Sequence, residues 1–265
     1  MMKTILLTGA TDGIGLETAK LLLADGHRVL LHGRNPEKLA KVQQSLAAIG
    51  GVSEVYVADL SRLADTVALA EEVLKQHPSI DVLINNAGVY NTPSTVTADD
   101  LDTRFAVNTI APYLLTQRLL PAFSANGRIV NLSSAAQAPV EASALAKPSD
   151  QSAGLIYAQS KLALTMWSRA LADQLASNGP AVIAVNPGSL LASKMVKDAY
   201  GVQGGDLSIG ANILYRAALD DEFASASGRY YDNDAKQFAP PHVDALNDSK
   251  NQQIVAAIEA IISDL

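Results

Sequence analysis

The stretch that decides the fold reads Ile5-Leu6-Leu7-Thr8-Gly9-Ala10-Thr11-Asp12-Gly13-Ile14-Gly15. Its short apolar run predicts a buried strand, and the apolar residues at helical spacing that follow predict a helix. The glycines between them permit a tight turn and let backbone N–H groups approach a pyrophosphate at the positive end of the helix dipole. A glycine-rich turn without a ligand is the alternative. The candidate cofactor residues of this turn are Gly9, Thr11, Gly13, Ile14 and Gly15.

The second predicted strand, Arg28–His32, is followed by Gly33 and Arg34. In a dinucleotide fold, an acidic side chain at this place bonds the adenosine ribose hydroxyls, whereas an arginine accommodates a 2′-phosphate. Arg34 therefore favours NADP(H) over NAD(H), and Asp12 in the glycine turn argues mildly in the other direction. The alternative for Arg34 is a solvated surface cation.

Strands and helices continue to alternate along the chain. Further strands are predicted at 52–58, 80–84, 127–132, 181–185 and 228–231, and helices at 61–76, 98–123, from 157 onward and at 254–265. The alternation predicts an α/β fold, a Rossmann-like doubly wound parallel sheet of about seven strands with helices on both faces. Because no internal repeat and no linker occurs, we expect residues 1–265 to form a single domain.

Small and polar residues follow several strands, at the edge where ligands of open α/β sheets bind. The turn Asn86-Ala87-Gly88 suits a backbone that lies close to a ligand and is the next cofactor candidate. Asp59, followed by Leu60, can hold an adenine amino group, and capping the next helix is an equally natural role. The fifth strand ends in the hydroxyl pair Ser133-Ser134.

Tyr157 and Lys161 are four residues apart and therefore share one face of a helix. An ammonium near a phenol favours the phenolate and lowers the pKa of the tyrosine, so such a pair can exchange protons with a substrate. Two surface residues at chance spacing are the alternative. In the preceding long helix, Asn108 is either a structural tie or a residue that holds a water near a site.

Two segments are predicted to be functional loops. Residues 135–156 are rich in Ala, Ser and Pro without a clear period, and a connection of this length is uncommon unless it shapes a binding site. We expect a substrate loop there, and its few charges (Glu141, Lys147 and Asp150) favour an apolar substrate. Residues 189–206 are polar and contain glycine, which predicts a lid.

The composition argues against several classes of protein. A formal net charge of -7 and a pI near 5.0 disfavour a broad basic surface for nucleic acid. Without cysteine the chain has no disulfide and no thiolate metal ligand, which suits a reducing cytosol. The four histidines are scattered without ligand spacing, so we predict no metal site. No secretory h-region and no long apolar run occurs, so we expect no export, no membrane span and a cytoplasmic location.

Taken together, these motifs resemble the short-chain dehydrogenase/reductase family over nearly the whole chain. The matching motifs are Thr8-Gly9-x-x-x-Gly13-x-Gly15, Asn86-Ala87-Gly88, Asn108, Ser134, Tyr157-x-x-x-Lys161 and Pro187-Gly188. The loop before Tyr157 and the tail around Phe238-Ala239-Pro240-Pro241-His242 look like the retinol-dehydrogenase-like branch of that family.

The resemblance implies a role for each catalytic candidate. Tyr157 would be the general acid/base, and Lys161 would lower its pKa and bond the nicotinamide ribose. Ser134, the second serine of its pair, would orient the substrate carbonyl oxygen. Asn108 would hold a water that links Lys161 to solvent.

The resemblance also implies that Pro187 and Gly188 lie at the nicotinamide end of the cofactor. Where the family commonly has a threonine, four residues after that glycine, this chain has Ala192, and Ser193 is expected to replace it. Relatives often form dimers or tetramers through the helices that carry Asn108 and Tyr157. The expected function is an NADP(H)-dependent oxidoreductase acting on a carbonyl or alcohol of a small apolar substrate; the alternative is a catalytically silent NADP(H)-binding sensor or scaffold.

Overall fold

The computed structural model describes residues 1–176, 178–189, 191 and 204–265. In these ranges eight strands form one sheet: β1 Thr4–Leu7, β2 Arg28–Gly33, β3 Val52–Val57, β4 Ile80–Asn85, β5 Phe123–Leu132, β6 Ala181–Asn186, β7 Tyr230–Asp232 and β8 Gln237–Ala239. The strands lie in the order β3-β2-β1-β4-β5-β6-β7-β8. Neighbours from β3 to β7 pair in parallel, and β8 pairs antiparallel with β7. The carboxyl ends of seven strands therefore meet at one edge.

The helices in the described residues are α1 Gly13–Ala24, α2 Pro36–Leu46, α3 Leu63–Gln76, α4 Thr103–Phe105, α5 Ala111–Leu119, α6 Ala153–Leu175, α7 Leu207–Leu219 and α8 Asp248–Ile262. A π-helical segment, Ala106–Ile110, joins α4 to α5. Local caps set where several helices begin. Asn35 accepts a hydrogen bond from the N–H of Lys38 ahead of α2, which has proline at its first position, and Ser152 caps α6 in the same way.

The core lies on both faces of the sheet because successive strand side chains point in opposite directions. In β1, Leu6 packs into the core beneath α3, α5, α6 and α8, whereas Ile5 and Leu7 pack beneath α1, α2 and α7. This arrangement confirms the predicted doubly wound sheet with helices on both faces. Within the described ranges, none of the helices has the length and apolarity needed to cross a bilayer.

Several helix boundaries differ from the sequence predictions, among them the start of α8, which lies at Asp248 rather than at 254. The helix predicted at 98–123 begins only at α4, because Asp102 accepts a hydrogen bond from the N–H of Arg104 and caps the helix there. The helix that carries Tyr157 begins at Ala153, one turn earlier than predicted, which shortens the loop predicted at 135–156.

The carboxyl-terminal part of the sheet also differs from the sequence predictions. The last predicted strand, at 228–231, lies at Tyr230–Asp232, and the antiparallel β8 was not predicted. A strand of three residues is too short to show the period of two on which such predictions depend. The lid predicted at 189–206 falls mostly outside the described residues.

Candidate active site

The glycine turn after β1 lies against the turn that follows β4. The Thr8 hydroxyl accepts hydrogen bonds from the N–H groups of Asn86 and Ala87, both at 3.0 Å. The Asn86 amide donates to the carbonyl oxygens of Thr8, at 2.8 Å, and Gly9, at 3.1 Å. The strand order reverses between β1 and β4, and ligands of open α/β sheets bind in the crevice at such a reversal. These hydrogen bonds therefore lie at that crevice.

The amino end of α1 opens into this crevice. Gly9 has a φ of +67°, and a Cβ on Gly15 would lie 2.2 Å from the Gly9 carbonyl oxygen, so both positions require glycine. Asp12 caps the helix by accepting from the N–H of Gly13 at 2.7 Å. The N–H groups of Ile14 and Gly15 lie in the first helical turn, where no helix carbonyl oxygen precedes them to accept a hydrogen bond, and a helix end of this kind suits an anion.

Two cationic residues, Arg34 and Lys38, follow β2. Arg34 is exposed just after β2, and the Lys38 ammonium contacts the Asp12 carboxylate at 2.7 Å. Gly33 brings β2 close to the turn, since a Cβ there would lie 2.6 Å from Thr11 Cγ2. The Asp12 charge that argued against a phosphate is therefore paired with a cation, a contact that the sequence did not reveal.

His32 links the glycine turn to Ala58, the residue after β3. Its Nδ1 accepts from the N–H of Gly9 at 3.3 Å, and its Nε2 lies 3.1 Å from the carbonyl oxygen of Ala58. Burial lowers the pKa of His32 to about 4, so the ring is neutral at neutral pH and can accept on one nitrogen while it donates on the other. The histidine is therefore a structural tie.

Asp59 does not cap α3. Its Oδ1 accepts from the N–H and the hydroxyl of Ser61, at 3.0 and 2.8 Å, and so stabilises the turn ahead of the helix. The first N–H of α3, that of Leu63, instead donates to Asp99 at 3.0 Å. Leu60 is buried. The capping role was therefore wrong, and the cofactor role of Asp59 and Leu60 stays a prediction.

Asn108 lies in the π-helical segment and is 1% exposed. Its Oδ1 accepts from the N–H of Val89 at 2.8 Å, and its Nδ2 donates to the Val89 carbonyl oxygen at 2.9 Å and to the Ser160 hydroxyl at 3.0 Å. The amide thus joins the segment after β4 to α6. This geometry supports the structural tie, and the water-holding role stays a prediction.

Tyr157 and Lys161 lie on the same face of α6. Lys161 is 3% exposed, and its ammonium donates to the carbonyl oxygen of Leu132 at 2.7 Å and lies 5.7 Å from the centre of the Tyr157 ring. A Cβ on Gly88 would lie 3.5 Å from this ammonium and 3.4 Å from Asn108 Oδ1. Burial lowers the pKa of Lys161 to about 8. The turn after β4, Asn108 and the α6 pair therefore form one cluster.

The two serines at the end of β5 have different surroundings. The hydroxyl of Ser133 is buried and shares a 2.7 Å hydrogen bond with Thr165 of α6. The hydroxyl of Ser134 is half-buried and accepts from the N–H of Ala136 at 3.0 Å, so its proton is free to be donated elsewhere. Of the pair, Ser134 has the hydroxyl that a substrate can reach.

The Pro-Gly segment follows β6 at the same edge of the sheet. Gly188 has a φ of +120°, which disfavours any other residue. The carbonyl oxygen of Pro187 accepts from the Asn233 amide at 2.8 Å. Ser193 and Ala192 lie outside the described residues, so the role expected of Ser193 stays a prediction.

Tyr90 is a site residue that the sequence analysis missed. Its ring lies 5.1 Å from the ring of Tyr157, tilted by 51°. A Cβ on Gly154 would lie 2.9 Å from the Tyr90 hydroxyl oxygen, so the first turn of α6 leaves space for this side chain. The position of Tyr90, two residues after the turn at Gly88, was the available signal, but nothing in the sequence pairs it with α6.

The segment predicted to be a substrate loop covers a cavity of about 280 Å³. The residues around this cavity include Pro139, Lys147, Ile156 and Gln159, but not Tyr157. Tyr157 therefore does not line this cavity, and the role of the loop in substrate binding stays a prediction. Across the part of the chain that the structure describes, no group of three or more His, Asp or Glu side chains could hold a metal ion.

Comparisons with known proteins agree with this arrangement. Residues 3–201 match the family model described as short chain dehydrogenase. Retinol dehydrogenase 11 of Mus musculus is 38% identical over 195 residues, which cover 71% of this chain and 61% of the mouse protein. Retinol dehydrogenase 13 of Homo sapiens is 30% identical over 263 residues, which cover 90% of this chain and 78% of the human protein. The match to the mouse relative thus spans less than two thirds of its length.

A solved structure has the same fold. The crystal structure of a short chain dehydrogenase from Burkholderia cenocepacia J2315 in complex with NADP superimposes with a TM-score of 0.71 at 27% sequence identity. The superposition covers 87% of this chain and 95% of the Burkholderia chain.

Proposed function

The chain belongs to the short-chain dehydrogenase/reductase family, and we propose that it is an NADP(H)-dependent oxidoreductase that transfers hydride between the nicotinamide and a carbonyl or alcohol of a small apolar substrate. The observation that carries the proposal is the cluster around Tyr157. A buried ammonium, that of Lys161, lies 5.7 Å from the centre of its ring, and the accessible hydroxyl of Ser134 follows the strand whose Leu132 carbonyl holds that ammonium.

The residues of the crevice fit a dinucleotide. The glycine turn and the first turn of α1 would hold the pyrophosphate, because a Cβ at Gly9 or Gly15 would collide with backbone. Arg34 would contact a 2′-phosphate, and Asp59 and Leu60 would border the adenine. The turn Asn86-Ala87-Gly88, together with Pro187, Gly188 and Ser193, would border the ribose and nicotinamide. When bound, the cofactor supplies or accepts the hydride.

The chain's own residues manage the proton and the substrate oxygen. In the reductive direction Tyr157 donates a proton to the oxygen as it gains charge, and in the oxidative direction it accepts that proton. Lys161 places a positive charge beside the phenol and bonds the nicotinamide ribose. Ser134 donates a hydrogen bond to the same substrate oxygen, which stabilises the charge that develops there. Asn108 connects Lys161 to solvent through a water.

An apolar substrate is supported by three observations. The segment 135–156 has few charges, and the mouse and human relatives are named as dehydrogenases of retinol. The rings of Tyr90 and Tyr157 present apolar surface beside the reacting position. We therefore expect ketones, aldehydes or secondary alcohols with an apolar body.

The variant Tyr157→Phe tests this function. Removing the phenolic oxygen removes the proton donor but little volume, so we expect turnover to fall by at least about 100-fold, the lower range for loss of a general acid. NADPH affinity, measured by calorimetry, should stay within about threefold of wild type. Turnover is followed by absorbance at the nicotinamide band with a panel of ketones, aldehydes and secondary alcohols.

Two results would contradict the proposal. Normal turnover by Tyr157→Phe would remove the tyrosine from the chemistry. Wild-type protein that binds NADPH but turns over no member of the panel would instead favour a silent sensor. Tyr215→Phe is the matched control, because it removes a phenol that bonds Asp25 on a different face of the molecule.

The variant Arg34→Asp tests the choice of cofactor. An aspartate at this place would repel the 2′-phosphate and accept from the ribose hydroxyls. We expect the ratio of kcat/KM for NADPH to that for NADH to fall by at least about tenfold, the effect of one charge-assisted hydrogen bond. An unchanged ratio would mean that another group, with Lys38 the nearest candidate, recognises the phosphate. Arg62→Asp, an exposed change of the same charge, is the control.

A further inference from the structure

Residues 232–234, which end β7 and begin the turn to β8, hold the Pro-Gly segment through the Asp234 carboxylate; they are called the 232–234 segment below. One oxygen accepts from the N–H of Ser189 at 2.8 Å, and the other accepts from the Ser189 hydroxyl at 2.6 Å and from the Asn186 amide at 3.0 Å. Burial acts to raise the pKa of Asp234, but the hydrogen bonds from Ser189 and Asn186 outweigh it and lower the pKa. The carboxylate is therefore ionised at neutral pH, which strengthens all three bonds.

The two residues before Asp234 hold the rest of the segment. The Asn233 side chain donates to the carbonyl oxygen of Pro187 at 2.8 Å, and the backbone N–H of Asn233 donates to the carbonyl oxygen of Asn186 at 3.2 Å. Asp232 accepts from the Asn186 amide at 2.9 Å. The segment from Asn186 to Ser189, which contains the left-handed Gly188, is thus bonded along its length to residues 232–234.

Strand β7, which ends at Asp232, also contacts Ser134. The Tyr230 hydroxyl donates to the carbonyl oxygen of Ser134 at 3.0 Å. Burial, followed by the charge of Asp232, raises the pKa of Tyr230, which keeps its phenol protonated as a donor. Because Tyr230 and Asp232 belong to one three-residue strand, β7 fixes the Pro-Gly segment relative to the proposed substrate-orienting serine.

We infer that the 232–234 segment positions the nicotinamide end of the cofactor, with Asp234 as its principal positioning residue. The inference rests on the proposed function, since it takes the Pro-Gly segment as the nicotinamide contact. These residues lie beyond position 201, where the family-model match ends. The hairpin therefore contributes to the site from a part of the chain that the family model does not describe.

The test separates the two ends of the cofactor. Asp234→Ala removes three acceptor contacts from the Pro-Gly segment, so we expect NADPH to bind about tenfold more weakly. Adenosine 2′,5′-bisphosphate lacks the nicotinamide, and we expect its affinity to stay within about twofold of wild type. Both affinities are measured by calorimetry. Asp264→Ala, an exposed carboxylate near the chain end, is the charge-matched control and should change neither.

A double variant tests whether Asp234 acts through Ser189. The Ser189 hydroxyl bonds the Asp234 carboxylate, so Ser189→Ala should weaken NADPH binding in the wild-type background. In the Asp234→Ala background, where this bond is already lost, Ser189→Ala should weaken NADPH binding by less than a further factor of about two. Equal loss of both ligands, unchanged NADPH binding or full additivity would overturn the inference. If wild-type protein binds adenosine 2′,5′-bisphosphate but not NADPH, the inference also fails; if it binds neither, the proposed function fails first.

Discussion

Lys161 is a cation held in a nearly dry environment. Its ammonium donates to the carbonyl oxygen of Leu132 and lies beside Gly88, where a larger residue would crowd it. Burial disfavours the charged form, so the pKa falls from 10.5 to about 8. A pKa this close to neutrality makes the charge of this single residue dependent on pH in the working range. The sequence predicted the Tyr157 pair from its spacing, but it could not predict how deeply the ammonium is buried.

The pH profile of the reaction should reflect this titration. Below pH 8 the ammonium form predominates, and above pH 8 the neutral amine does, so the positive charge beside Tyr157 is lost as pH rises. We expect kcat/KM for carbonyl reduction to be level near pH 6 to 7 and to fall by about tenfold per unit above about pH 8.

The variant Lys161→Arg tests whether the alkaline fall in kcat/KM comes from the titration of Lys161. A guanidinium stays charged throughout this range, so the alkaline fall should move upward by at least about two units, after calorimetry has confirmed that the variant binds NADPH. Lys75→Arg, whose side chain is 79% exposed, should keep the wild-type profile. A wild-type profile that stays level to pH 10, or an alkaline fall that Lys161→Arg leaves in place, would contradict the assignment.

At the scale of elements, the helix predicted at 98–123 shows what periodicity can and cannot reveal. Its apolar spacing was sufficient to predict that a helix carries Asn108. The π-helical turn at Ala106–Ile110 was not predictable from apolar spacing, and Asn108 within it bonds Val89 and Ser160. Those partners lie 19 and 52 residues away in the sequence.

The amino end of α6 was predicted one turn late because residues 135–156 have no clear apolar period and include Gly154, which disfavours a helix. Glycine costs about 1 kcal/mol relative to alanine in a helix interior, and this residue lies just after the Ser152 cap. The structure supplies a reason for it. A Cβ on Gly154 would meet the Tyr90 hydroxyl oxygen at 2.9 Å, and the Tyr90 ring packs against Tyr157. The glycine therefore gives space to the aromatic side chain that packs against Tyr157.

This contact predicts a background-dependent effect of Gly154→Ala. In the wild-type background the new methyl should displace Tyr90 and lower kcat/KM by about threefold, the value of part of an aromatic pair. In the Tyr90→Phe background the next nearest atom is Cζ at 3.9 Å, an ordinary contact, so the same substitution should have no effect. Steady-state kinetics of the four proteins form the cycle. An equal loss in both backgrounds would show that Tyr90 does not mediate it.

For the whole molecule, the alternating pattern was enough to predict the layered sheet and the edge at which the site forms. Local signals such as the glycine turn predicted which residues lie there. Contacts between distant segments were not predictable: Lys38 with Asp12, Tyr90 with Gly154, and the β7–β8 turn with the Pro-Gly segment. In each contact, no sequence pattern links the two partners, because they meet only in the folded chain.

The carboxyl-terminal helix α8 covers the helices through which relatives were expected to associate. Ile254, Ile258 and Ile262 of α8 are buried in the same core as α5 and α6. Glu259 accepts a hydrogen bond from Tyr113 of α5. Nearly every face of α6 is thus covered within one chain, by the sheet, by the π-helical segment or by α8. A second copy could use α5 and α6 only by displacing α8.

We therefore expect a monomer in solution, with a mass near 27.8 kDa by light scattering. Ile258→Ala should lower the free energy of unfolding by about 2 to 5 kcal/mol, because its side chain is fully buried. Leu246→Ala, whose residue is 48% exposed, should cost far less. A chain that associates through α5 and α6 would instead give a dimer mass at micromolar concentration. A dimer mass, or a small loss of stability in Ile258→Ala, would mean that α8 does not cover the surface of α5 and α6.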